Sequence, residues 1–184
     1  PSLQEYVLIE QDFVEVEVCR RANHWQSEHY FLGDEVRFES IDLTVPVEKI
    51  CDYLGIKVSY VPISDDISGR IFKSYDKYFI ETNLRHVNTR CRFTIAHELG
   101  HYCLHKDFLD SCGMILERST RSFVIRDMEI EADNFASELL MPKFHFISKY
   151  KELKNIRLIS NYFMVSNQAA IMRIKNLSLE ASNI

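Results

Sequence analysis

His97 and His101 stand four residues apart in the run HELGH, inside a stretch that reads as one uninterrupted helix. Residues 92–105 contain no proline, and Phe93, Ala96, Leu99, Gly100, Cys103 and Leu104 form an apolar face. Side chains four apart on a helix lie one above the other. Two imidazoles so placed can hold one Zn²⁺, and Glu98, beside the first, can take a proton from a water that the metal activates. A structural zinc site needs the histidines but not that glutamate. An amphipathic helix with surface histidines needs neither Glu98 nor a further donor.

A further donor is available downstream. Residues 129–142, EIEADNFASELLMP, read as a second helix, with Asp127 placed to cap its start and Pro142 to end it at Met141. Glu129 and Asp133 share a face, whereas Glu131 is rotated about 200° from Glu129 at 3.6 residues per turn. Only one glutamate can therefore face a metal held by the first helix. Glu129 is the choice, because Asp133 one turn on can accept the outer N–H of a ligating histidine. Glu131 then reads as a solvated charge. The longer pattern HExxHxxGxxH does not apply, since Leu104 and Asp107 occupy the glycine and histidine places. His105 extends the stripe of histidines and reads as a packed or hydrogen-bonded residue at the helix end, although its spacing also admits a ligand. His24, His29 and His86 carry no spacing signal; nor does His145, though it follows the second helix closely.

These pieces resemble a known family. From about Val47 to Leu177 the chain is similar to the ImmA/IrrE-type zinc metallopeptidases, through PVEKICDYLGIKVSYVPI, DDISGRIFK, YFIETN, RCRFTIAHELGHYCLH, EIEADNFASELLMP and VSNQAAIMRIKNL in that order. The resemblance implies a zincin-like α+β domain with a gluzincin-type site: His97, His101 and Glu129 on one Zn²⁺, and Glu98 as base. Family descriptions stress the whole acidic-Ala-acidic cluster, so Glu131 remains the rival ligand. The family also implies a bacterial, phage or mobile-element setting in which a helix-turn-helix repressor is cleaved or inactivated.

Residues 1–46 fall outside that pattern. They alternate like several short strands and weakly resemble the C-terminal strands of Uma-type restriction-endonuclease-like proteins, without the acid and lysine cluster of such nucleases. The segment reads as an extension or fusion remnant, and Pro1 fits a removed initiator Met or a truncated record. The expected organisation is a β-rich extension over 1–46, a metallopeptidase core over 47–142 and a helical segment over 143–184. The core should open with a helix at 47–54 stopped by Gly55, a strand at 56–63, and a hairpin of 70–73 with 77–82 that could offer an edge to an extended peptide. The connection 106–126 reads as a long loop.

Past Pro142, two or three short helices are expected, the last capped by Ser166 and running over 167–177. They form either a helical flap on the core or a helix-turn-helix in which Asn167, Gln168 and Arg173 read bases. Residues 143–184 carry seven Lys or Arg and two acids, against eleven acids and four Lys or Arg in 1–50. DNA contact by this basic tail is thus open, although a net charge of −5 is rare for a bulk nucleic-acid binder. No apolar run reaches the 18 or more residues of a membrane span. The odd, scattered set of five cysteines fits reduced thiols in a cytoplasm.

The function expected is that of a zinc-dependent endopeptidase with one Zn²⁺ per chain, Glu98 as general base and Asp133 behind a ligand. Tyr102, His145 and Tyr150 are candidate oxyanion donors. The alternative is a regulatory or toxin–antitoxin module that binds a repressor or DNA without cleaving it.

Overall fold

The computed structural model describes residues 44–112 and 123–179, with two short antiparallel strands, β1 (Tyr6–Val7) and β2 (Val16–Glu17), before them. The rest of the predicted N-terminal extension lies outside the described residues. Helix α1 (Val47–Tyr53) follows Pro46, buries Val47, Ile50 and Cys51, and ends where Gly55 turns to φ +73°. That left-handed conformation is one that glycine adopts without a Cβ penalty.

Three strands follow: β3 (Lys57–Val61), β4 (Gly69–Ser74) and β5 (Lys77–Asn83). Their order is β3-β5-β4, with β5 parallel to β3 and antiparallel to β4. The predicted hairpin forms around Tyr75 and Asp76, and it pairs Ile71 with Ile80 on the face that turns to the core. β5 is therefore central. Of the two hairpin strands, only β4 has an unpaired side among the described residues. The return from β3 to β4 is organised by Asn83, which is fully buried. Its Nδ2 lies within 3.0–3.2 Å of the Ile63, Ser64 and Ile67 carbonyls, and its Oδ1 accepts from the Arg85 N–H.

Helix α2 (Asn88–Leu104) lies across the sheet, burying Thr94, Ile95 and Leu99 with Ile71 and Ile80. It starts four residues before the expected position 92, because nothing in Asn88-Thr89-Arg90-Cys91 opposes a helix. The predicted loop after it begins instead as α3 (Lys106–Cys112). Helix α4 (Phe123–Leu140) starts before Asp127, which is an interior residue and not a cap. A capping side chain marks a helix start only where the preceding residues cannot continue the helix, and Phe123-Val124-Ile125-Arg126 can.

Pro142 separates α4 from α5 (Lys143–Leu153), which is followed by α6 (Ile156–Tyr162) and α7 (Asn167–Asn176). Ser166 Oγ caps α7 by accepting from Ala169 N–H at 3.1 Å. Ile159, Phe163, Val165, Ala170 and Ile174 join the same hydrophobic cluster as the sheet and α2. Arg173 is drawn into this interface: its Nε donates to the Met141 carbonyl at 2.9 Å and its guanidinium pairs with Glu138. Burial thus takes Arg173 out of the set of base-reading side chains, while Asn167 accepts from Ser160 Oγ at 2.6 Å. No helix among the described residues is long and apolar enough to cross a membrane. Cys51, Cys91 and Cys103 form no disulfide, and burial pushes the Cys51 thiol up to about 12.

Candidate metal centre

Helices α2 and α4 make the most extensive helix–helix contact among the described residues, and at Gly100 their backbones approach closely. A Cβ there would lie 3.2 Å from Ala132 Cα and 3.1 Å from the Phe135 ring. The absent side chain lets the backbone of α4 approach, with Ala132 and Ala136 fully buried alongside. A mid-helix glycine costs about 1 kcal/mol against alanine, and that cost was the sequence signal for a close approach here. The approach brings Glu129 on α4 to His97 and His101 on α2.

His101 Nε2 lies 3.0 Å from His97 Nε2 and 3.2 Å from Glu129 Oε1, and His97 Nε2 lies 3.4 Å from Glu129 Oε2. Donors held at 2.0–2.1 Å around a tetrahedral ion sit roughly 3.3 Å from one another, so this spacing fits a zinc-sized ion. Two imidazoles and one carboxylate are also a donor set that Zn²⁺ accepts with a fourth position open. Both histidines are almost fully buried, and Glu129 is half-buried.

Behind His97, Nδ1 meets Asp133 Oδ1 at 2.8 Å. Behind His101, Nδ1 meets His105 Nδ1 at 3.0 Å, and His105 Nε2 meets Glu131 Oε2 at 2.8 Å. Glu131 therefore addresses His105, is not one of the three converging donors, and is not a lone solvated charge. Glu98 is buried next to His97, near enough for its charge to act on that ring. Of the oxyanion candidates, Tyr102 packs edge-on against Tyr78 and accepts from Lys106 Nζ, and His145 hydrogen-bonds the Tyr162 hydroxyl. Tyr150 is buried in the core.

Residues 51–175 match the IrrE N-terminal-like domain of Peptidase M78. The chain belongs to this family. No curated protein matches the chain. Membership in Peptidase M78 suggests a metallopeptidase, and the His97–His101–Glu129 group is the place in this member where a metal could bind.

The carboxylates around the two histidines favour a proton on His97. Burial works against charge on His97, but the Asp133 and Glu129 carboxylates, helped by Glu98, outweigh it and raise the ring to about 9. Burial and the neighbouring His97 hold His101 below the usual range against the pull of Glu129. Burial alone would raise Glu129, but His101 and His97 hold it well below the usual carboxylate range. A cation must displace the His97 proton to bind. Between about pH 7 and 8, each Zn²⁺ bound is therefore expected to release about one proton, and apparent affinity should rise as pH climbs toward 9. Calorimetric titration in two buffers of different ionisation enthalpy measures that release. Equal heats in both buffers would mean that His97 is neutral.

Gly100 gives a second expectation. Gly100→Val should wedge α2 from α4, costing about 1–3 kcal/mol by overpacking and weakening metal binding because Glu129 moves with α4. Gly100→Ala should cost less, since better helix propensity returns about 1 kcal/mol and the neighbours need yield only a few tenths of an ångström. Thermal unfolding and zinc titration of both variants check this. A Val variant with native zinc affinity would separate the helix spacing from the site.

Proposed function

We propose that the protein is a zinc-dependent endopeptidase of zincin type, acting in the cytoplasm on a transcriptional repressor or similar regulatory protein. The observation that carries this reading is the convergence of His97, His101 and Glu129, with Glu98 buried beside them. The family supplies the reaction class. His97, His101 and Glu129 would hold the ion, and Asp133 would orient His97 from behind. Zn²⁺, when bound, supplies a Lewis acid that polarises the scissile carbonyl and lowers the pKa of the attacking water. Glu98 takes the proton of that water and returns it to the leaving amine. The side of β4 that is unpaired among the described residues is suited to hold an extended peptide by main-chain hydrogen bonds. The substrate class is proposed from the family resemblance, and a helix-turn-helix repressor is the candidate.

Incubating the zinc-loaded protein with that repressor is expected to give one discrete cut, abolished by a chelator and restored by zinc. An intact repressor that nevertheless co-purifies with the protein would favour a binding module instead.

A further inference from the structure

The two histidines of the centre are backed differently. His97 meets a carboxylate directly, whereas His101 meets another histidine, which meets a carboxylate. The line runs Glu129 Oε1, His101 Nε2, His101 Nδ1, His105 Nδ1, His105 Nε2, Glu131 Oε2, with successive contacts of 3.2, 3.0 and 2.8 Å. Proton accounting along it has one solution that leaves His101 able to bind a metal. A carboxylate only accepts, so His105 must carry its proton on Nε2. Its Nδ1 is then bare and must accept. His101 therefore carries its proton on Nδ1, and its Nε2 keeps a lone pair aimed at Glu129 and His97.

We propose that His105 and Glu131 are positioning residues that fix the tautomer and ring orientation of His101. The proposal rests on the reading of His97, His101 and Glu129 as a metal centre. It accounts for a histidine buried at the end of α2, where an aliphatic side chain would pack without needing a polar partner. It also gives Glu131 a task although it projects from α4 about 200° from Glu129. Both centre histidines then take their orientation from α4, through Asp133 in one case and through Glu131 in the other. Such outer partners are worth roughly 10–100-fold in metal affinity when removed.

The test compares His105→Leu, His105→Gln and Glu131→Ala by zinc affinity against a competing chelator and by the visible spectrum of the Co²⁺-loaded protein. His105→Leu and Glu131→Ala are each expected to raise the zinc Kd roughly 10–100-fold and to alter the Co²⁺ bands. His105→Gln should recover most of the loss, because its Oε1 can accept the His101 Nδ1–H, whereas a packing role would not be rescued by a polar side chain. Should His105→Leu not fold, Glu131→Ala decides the matter, since that side chain is 48% exposed. Native affinity and spectrum in both loss variants, or a Gln variant as weak as the Leu variant, overturns the relay. Failure of the unmodified protein to bind either ion would overturn the metal centre and the relay together. Binding that is indifferent to the variants removes the relay alone.

Discussion

Glu98→Gln should leave about one zinc per chain and an unchanged melting temperature while lowering peptide cleavage by roughly 10²–10⁴-fold, the usual cost of a lost general base. The substitution keeps the shape of the side chain and removes only its ability to take a proton. Glu98 is buried beside His97 but is not among the three donors that converge, so zinc should not need it. Loss of its negative charge should slightly ease deprotonation of His97, since Glu98 is one of the groups that hold that ring charged. Zinc binding in the variant is therefore expected to be as tight as in the parent, or a little tighter, at pH 7. Zinc content by mass spectrometry under native conditions and cleavage of the repressor are the two measurements. A variant that loses its zinc would make Glu98 a ligand, and the proposed chemistry would then have no base.

Much of this site was legible because helix periodicity is local. The spacing of His97 and His101, and of Glu129 and Asp133, fixes which side chains share a face before any packing is known. It also put Asp133 one turn from Glu129, and in the fold Asp133 lies behind His97. What could not be read is which element of one helix meets which element of the other. Glu131 looked solvated because its own helix turns it away from Glu129. The neighbouring helix, however, carries His105 one turn beyond His101, within reach of a long carboxylate side chain. The same limit applies to Arg173, whose exposed look on an isolated helix ends when its guanidinium reaches the Met141 carbonyl and Glu138. Boundaries failed where a local cue had competition. Asp127 is a good cap in sequence but follows residues that continue the helix, and the expected loop at 106–126 opens with one more short helix because Lys106-Asp107-Phe108-Leu109 has nothing to break it. In sequence Gly100 reads as one more member of an apolar face, whereas its lack of a side chain is what lets the two helices approach.

Glu129→Ala is expected to weaken zinc binding by well over the 10–100-fold that loss of a partner behind a ligand costs, because it removes one of three donors and the only anion among them. The two nearly fully buried histidines left behind would hold the ion without their one anionic co-ligand, and the carboxylates of Glu98 and Asp133 beside His97 compensate its charge only from outside the donor set. The loss has a thermal signature. In the parent protein, zinc at about 100 times its Kd should stabilise the fold by about 2.7 kcal/mol, which for a domain of this size is a rise of several degrees in Tm. Glu129→Ala should show almost none of that rise at the same zinc concentration. Glu129→Gln should behave like the alanine variant, because it keeps the shape but not the anion. Its proton release on zinc binding should also fall, since the Glu129 carboxylate is one of the groups that keep His97 charged when the metal is absent. Glu131 provides the control. Its carboxylate contacts His105 and not the converging donors, so Glu131→Ala should keep a measurable zinc-dependent rise in Tm while binding more weakly than the parent. The reverse result, zinc kept without Glu129 and lost without Glu131, would mean that α4 turns when metal binds. The outer contact with His105 would then belong to the metal-free state alone.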